Sequence, residues 1–366
     1  MNLNLLGGLT FVAVFAGIIL THEFGHFIVA RLVGIEVEEF GVGFPPRLFT
    51  LFTWKGTKFT LNLIPLGGFN RMKGEDDPNA ADGFFYVKPW KRVLTLLAGS
   101  AMNLATAVLA FSILYTQVGI PDPKSVQILD VSPKSPAQQA GLKMDDIVLS
   151  AGSQKITSID QFRSLLTASL DQPVPLTIQR GQIIVDIVVT PDSKRPTSEG
   201  ATGVLLGNTL QPASSWFATI PISFKATYVT GRELLSLPGR MLAGVIKPSE
   251  AELLGPRSIW NLFQQSVTRD VQSRQPTSGN QQQVPTNYTL TGIISLTLSL
   301  GIINLLPIPA LDGGRILFIL PELLFRKRIS PKYESMIHGV TFLILIVLLG
   351  YFYIADFIHP VSFILP

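Results

Sequence analysis

The sequence predicts a polytopic α-helical membrane protein: four transmembrane helices, a membrane-associated β-hairpin and an inserted α+β domain. Three observations predict it. Four apolar runs reach the roughly 20 residues needed to cross a bilayer, namely Leu5–Ala30, Val93–Leu114, Leu290–Ala310 and Met336–Ile354. A mean hydropathy of +0.37 with 15% charged residues is too apolar for a purely water-soluble chain and too polar for one lying wholly in lipid. Between the second and third runs lies a long stretch, Gln117 to Asn287, in which short apolar segments alternate with turn residues as in a water-soluble domain.

The first segment, residues 1–34, has neither the positive n-region nor the small-residue cleavage site of a signal peptide, so it is read as a retained transmembrane helix. Residues 35–90 carry Arg47, Lys55, Lys58, Arg71, Lys73 and Lys88, with Lys91 and Arg92 just beyond. Residues 326–335 carry Arg326, Lys327, Arg328 and Lys332, whereas neither terminus has a Lys or Arg. The positive-inside rule then puts both connections in the cytoplasm and both termini outside. Within 35–90, Arg47–Trp54 and Lys58–Ile64 read as strands around Lys55-Gly56-Thr57, a β-hairpin. Its Phe44, Phe49, Phe52, Trp54 and Phe59 suit a hairpin that dips against the membrane, and Gly67-Gly68 after it permits a tight turn or a close backbone approach.

Residues 91–117 form the second span, and an αβ pattern occupies 120–195. Val126–Leu129 and Asp146–Leu149 read as strands, Ser135–Leu142 and Ile159–Leu166 as helices, and Pro175–Gln179 with Ile183–Val189 as a strand pair around Arg180-Gly181. This order, with its Ser135-Pro136-Ala137…Ala140-Gly141-Leu142 run, resembles a PDZ domain. The resemblance implies a groove that takes a peptide or substrate tail by strand addition, or else a plug that blocks access from outside. Most such domains have Gly-Asp where this chain has Asp145-Asp146. In residues 196–288, Trp216–Ile246 reads as an amphipathic segment lying on the membrane, and Gln264–Asn287 as a flexible loop by its Gln, Ser, Thr and Pro content. The third span falls in 289–325 and the fourth in 336–358.

The polar exceptions inside the spans carry the chemistry. A charged group at membrane depth costs a few kcal/mol, so such residues line a bundle interior and serve a function. His22-Glu23-Phe24-Gly25-His26 puts two imidazoles one turn apart on one helix face, able to hold a metal, with Glu23 placed to take a proton from a water that the metal activates. With no cysteine, the remaining ligand must be a polar residue at matching depth. Asp312 meets that condition. On the topology above the first and third spans both enter from outside, and His22 lies about 26 Å past Leu5 where Asp312 lies about 33 Å past Leu290. Pro307, Pro309 and Gly313-Gly314 should break the helix there. His338, at the cytoplasmic start of the fourth span, and His359 are read as packing or interface residues, with a role for His338 in supporting the metal site as the lesser alternative. A net charge of +4 with no basic stripe interleaved with aromatics excludes a nucleic-acid binder. Two other classes stay open: a metal transporter, which would not need Glu23, and a non-catalytic PDZ membrane scaffold, which would tolerate loss of the metal residues.

Together, His22-Glu23-Phe24-Gly25-His26, Asn304-x-x-Pro307 leading into Leu311-Asp312-Gly313, the Gly67-Gly68-Phe69 turn and a single PDZ-like insertion resemble the site-2 protease family. These are intramembrane zinc metalloproteases, here of the one-PDZ, bacterial regulator-of-sigma-factor-protease type. The resemblance implies one Zn2+ per chain on His22, His26 and Asp312, Glu23 as general base, and a membrane-reentrant hairpin. It implies substrate contacts by Asn304, Gly67, Gly68, Phe69 and Asn103, the last ending a stretch, Ala98–Asn103, with Ser100 where the family usually has Pro. It also implies transmembrane protein substrates such as membrane-bound regulatory proteins, cut after a first extracytoplasmic cleavage in regulated intramembrane proteolysis. The setting would be a bacterial inner membrane, with a thylakoid or plastid membrane as the alternative and the active site near the cytoplasmic side.

Overall fold

The computed structural model describes residues 3–75, 83–195, 200–244, 255–274 and 287–358. Its contacts divide the chain into two compact units, Tyr115–Thr219 and the remainder, Met1–Leu114 with Ile220–Pro366.

The larger unit begins with α1 (Leu3–Val33), followed by β1 (Val37–Trp54) and β2 (Thr57–Met72). These two long strands pair twice. Beyond the expected hairpin, where Trp54 faces Thr57 and Thr50 faces Thr60, the first part of β1 lies between two parts of β2: Phe40 faces both Phe59 and Asn70, and Val42 faces both Leu61 and Gly68. The hairpin therefore has four ribbons, with Gly68–Met72 along one edge. Glu39 ties them together, accepting from Arg47 Nε at 3.1 Å, Thr60 Oγ1 at 2.8 Å and Arg71 Nη1 at 3.4 Å. A cluster of Phe27, Ala30, Val37, Phe40, Met72 and Leu96 buries the hairpin base against α1 and α2 (Pro89–Val118). The hairpin tip stays bare, with Leu48, Phe49, Leu51, Phe52 and Trp54 about half exposed.

The smaller unit contains β3 (Ile120–Pro121), β4 (Gln127–Val131), α3 (Pro136–Gln139), β5 (Ile147–Ala151), β6 (Gln154–Lys155), α4 (Ile159–Ala168), β7 (Val174–Arg180), β8 (Ile183–Val189), β9 (Val204–Gly207) and β10 (Leu210–Gln211). Its main sheet runs β8-β7-β5-β4-β9, all antiparallel, with β6 on β5, while β3 pairs with β10. The sequence signals are local. Ser135 and Ser158 cap α3 and α4 by accepting from the N–H groups of Gln138 and Gln161 at 3.1 Å, and Pro136 takes the first helical position of α3. Val126, Ile128, Phe162, Leu176 and Ile178 fill a core beneath the sheet, each contributing about 1.5–3 kcal/mol by burial.

The chain returns to the larger unit through α5 (Trp216–Leu242), then α6 (Pro256–Ser273), α7 (Tyr288–Leu305), α8 (Asp312–Phe325) and α9 (Pro331–Ile358). Among the described residues, four helices are long and apolar enough to cross a membrane: Leu5–Val33, Pro89–Val118, Tyr288–Leu305 and Lys332–Ile358. The third is shorter than the apolar run, because the helix ends at Leu305 before the two prolines. α5 is amphipathic in an inverted sense, with Ser223, Thr227 and Gly231 buried and Phe224, Tyr228 and Leu235 outside, as expected of a face turned to lipid. The expected loop from Gln264 is corrected in its first part, since 264–273 belong to α6; residues 275–286 and His359 lie outside the described residues. Trp260, Phe263 and Val267 give α6 an apolar stripe, and Phe11 of α1 meets the rings of Trp260 and Phe263 at 5.5 and 5.6 Å. Asp356, from α9, accepts from the N–H groups of Arg257 and Ser258 at 2.9 and 3.0 Å, while Asp270 near the other end accepts from those of Tyr288 and Thr289. Both contacts satisfy helix N-termini from distant sequence.

Candidate metal centre

His22 and His26 lie one turn apart on α1, both 5% exposed, with their Nε2 atoms 3.1 Å apart. His26 Nδ1 lies 2.7 Å from the Thr95 carbonyl oxygen, to which Nδ1–H donates, so the lone pair sits on Nε2. Two glycines make room for this. A Cβ on Gly99 of α2 would overlap both imidazoles, ending 2.7 Å from His22 Cε1. On Gly25, between the histidines, it would collide with the backbone of Ala98 and come to 2.9 Å from Met102 Cβ. The side-chain-free positions thus let α1 and α2 cross closely enough to bury the rings.

Asp312 arrives from the far end of the chain. α7 stops at Leu305, Pro307 and Pro309 keep the next turn open, and α8 starts at Asp312. Gly313 and Gly314 fold the start of α8 onto this loop; a Cβ on either would run into backbone, that of Leu305 and Leu306 or that of Ile308 and Pro309. Asp312 Oδ2 then lies 3.1 Å from His22 Nε2 and 3.3 Å from His26 Nε2.

These separations of 3.1, 3.1 and 3.3 Å come within a few tenths of an ångström of the edges, about 3.3–3.6 Å, of the tetrahedron that zinc takes at its usual bond lengths of about 2.0–2.2 Å. The donors fit as well. Two neutral imidazoles and a carboxylate, without thiolate, leave the fourth position open, as catalytic zinc sites do. His22 Nδ1 lies 3.4 Å from Asn103 Nδ2, while Asn103 Oδ1 is buried without a partner. Half a turn of that amide offers the oxygen to His22 Nδ1–H, the second contact that orients a metal-bound imidazole.

The three atoms open onto a cavity of about 460 Å³ whose lining includes Glu23, Gly68, Phe69, Asn70 and Asn304. Gly68 brings the hairpin edge against α1: a Cβ there would sit 3.5 Å from Glu23 Cγ. Asn304 Nδ2 is 3.3 Å from His22 Nε2. Gly67 and Asn103, expected among the substrate contacts, are not in this lining. Gly67 turns the strand with φ +118 beside the Phe44 ring, and Asn103 is fully buried behind His22. Sequence reasoning missed other parts of the site. Asn70 faces the cavity with neither amide atom partnered, and Glu75 pairs with Arg315 at the rim. The Gly25 between the two histidines was a signal that could have pointed to the tight helix crossing.

The model of peptidase family M50 matches residues 10–348. A Clostridium perfringens protein with a zinc-metalloprotease name is 33% identical over 95% of this chain and 97% of its own length. The zinc metalloproteases RasP of Oceanobacillus iheyensis and Geobacillus kaustophilus are 26% and 27% identical, each over 93% of this chain and 96% and 95% of their own lengths. Two histidines on a membrane-length helix, with an aspartate at the start of α8 beside them, form a metal-ready group in keeping with these likenesses, and the chain belongs to peptidase family M50, the site-2 proteases, as a multi-pass membrane zinc metalloprotease.

Proposed function

We propose that this protease is an intramembrane endopeptidase that cleaves transmembrane segments of single-pass membrane proteins, with zinc on His22, His26 and Asp312 and Glu23 as general base. The observation that carries the reading is that Glu23 and the three ligand atoms share one cavity bounded by membrane-length helices. His22, His26 and Asp312 would hold the zinc ion, whose presence would supply polarisation of a scissile carbonyl and acidification of a water. Glu23 accepts a proton from the attacking water as its oxygen bonds to the carbonyl carbon, then delivers that proton to the amide nitrogen as the C–N bond breaks. Asn304 donates its amide N–H to a substrate oxygen beside His22. Asn103 orients His22 rather than touching substrate.

A substrate helix hides its peptide bonds, so it must be unwound before attack. Gly68–Met72 is the edge ribbon of the hairpin and pairs on its one side with Val37–Val42. The other side supports strand addition by an unwound segment next to Glu23. Replacing Glu23 with Gln should leave one zinc per chain and reduce cleavage by about 10³-fold, the weight of a general base. Intact cleavage would remove Glu23 from this role, and membrane proteins that accumulate in the variant would name the substrates.

We read the Tyr115–Thr219 unit as a PDZ domain outside the membrane, admitting substrates already trimmed of their outer domains. The clustering of Lys and Arg in the two short connections supports that orientation. Deleting 126–191 should then let untrimmed substrates be cut. Unchanged substrate choice would count against both the filter and its placement.

A further inference from the structure

The loop that delivers Asp312 depends on a bond from outside itself. Pro307 and Pro309 have no N–H to give. The N–H groups of Leu306, Ile308 and Leu311 meet the carbonyls of Ile303, Leu306 and Ile308 at 3.0, 2.7 and 3.1 Å. Ala310 differs. Its N–H donates to Nδ1 of His338 on α9 at 2.7 Å. Ala310 also has φ +78, a left-handed conformation that residues with a Cβ avoid. A strained residue persists where its surroundings hold it, and it sits two positions before Asp312.

His338 makes this contact in addition to packing, which favours the lesser of the two roles the sequence left to it. Its ring is half-buried and lies 5.2 Å from that of Phe318 on α8. Because the Ala310 N–H donates to Nδ1, that nitrogen carries the lone pair and the ring proton belongs on Nε2, which is buried 4.0 Å from Glu334 Oε1, beyond hydrogen-bond reach.

We propose that His338 is a positioning residue for the metal centre: by holding the Ala310 N–H it fixes the left-handed turn that presents Asp312 to His22 and His26. The proposal rests on Asp312 being a zinc ligand. α9, which is otherwise largely exposed along its length, would thereby take part in the site without touching zinc or substrate.

The test uses the full-length protein in detergent or bilayer discs, with zinc affinity read by competition with a chelator and kcat and KM read separately. His338→Phe keeps an aromatic ring against Phe318 and removes the acceptor. It should weaken zinc binding by about tenfold, the lower range for losing a supporting contact around a metal, and lower kcat with KM unchanged. His338→Asn, whose Oδ1 falls near the place of Nδ1, should restore most of the affinity. Ala310→Gly in the His338→Phe background should restore it too, because glycine adopts positive φ freely. Native zinc affinity in His338→Phe, an Asn variant as weak as the Phe variant, or no recovery with Ala310→Gly would each overturn the proposal. Native zinc affinity in Asp312→Ala would instead overturn the ligand assignment beneath it.

Discussion

Asp312 and Asp146 are aspartates sequestered in different compact units, and their surroundings are opposites. Asp146 is fully buried in the smaller unit, where Arg180 grips it with Nε and Nη2, both at 2.7 Å, and the Lys143 N–H donates at 2.8 Å. That carboxylate has its counter-charge, and the bidentate fork is the strongest form such a pair takes. Asp312 sits among two imidazoles at 3.1 and 3.3 Å, with no Lys or Arg paired to it among the described residues. One carboxylate is satisfied by the protein and holds a fold together. The other, on the proposed function, would be completed by a cation and would hold a reaction centre. The larger unit repeats this inversion, with apolar side chains outward on α9 and polar ones inward on α1 and α2, as lipid requires.

The sharpest way to break that contrast is to truncate each carboxylate. Asp312→Ala should abolish zinc binding and proteolysis while circular dichroism and membrane insertion stay native, since the packing of α8 rests on Gly313, Gly314 and Ile319. Asp146→Ala should do the reverse. Leaving the Arg180 fork without its acceptor costs on the order of 2 kcal/mol, moderated because that side chain is 29% exposed. Limited proteolysis of the full chain should find the Tyr115–Thr219 unit opening at lower urea, with zinc content unchanged. Loss of zinc in Asp146→Ala would mean that the two units are not independent in this respect.

The contrast also explains what the sequence discloses. Ligand chemistry was legible: the spacing of His22 and His26 is helical, and counting residues through two spans brings Asp312 to their depth. Local signals in the smaller unit were legible too, because Ser135 and Ser158 cap helices within their own segments. Features defined by distant partners were not. The second pairing of the hairpin joins Phe40 to Asn70 through a register that nothing in either strand announces. α6 was hidden by its Gln, Ser and Thr content, and its N-terminus is satisfied by Asp356, about a hundred residues away in sequence. His338 looked like a packing residue because its significance lies in one N–H of a loop 28 residues earlier.

The smallest effect belongs to the residue beside Asp146. On the proposed PDZ reading of this unit, Asp145 occupies the place where most such domains carry glycine, and it adopts φ +67, the conformation that glycine takes without cost. Aspartate tolerates that region better than most residues with a Cβ. Its carboxylate accepts only an exposed bond from Gln127 Nε2 at 3.0 Å, while its N–H reaches the Ile128 carbonyl at 2.8 Å and would do so from any residue. Asp145→Gly therefore relieves backbone strain, loosens the unfolded chain by a similar amount, and forfeits one solvent-exposed hydrogen bond. These terms nearly cancel, so the unit should keep its stability within about 0.5 kcal/mol, against about 2 kcal/mol lost at the neighbouring position. Urea unfolding of the two variants side by side would separate them. A loss at Asp145 as large as that at Asp146 would show that the turn is held by its carboxylate and not by its backbone.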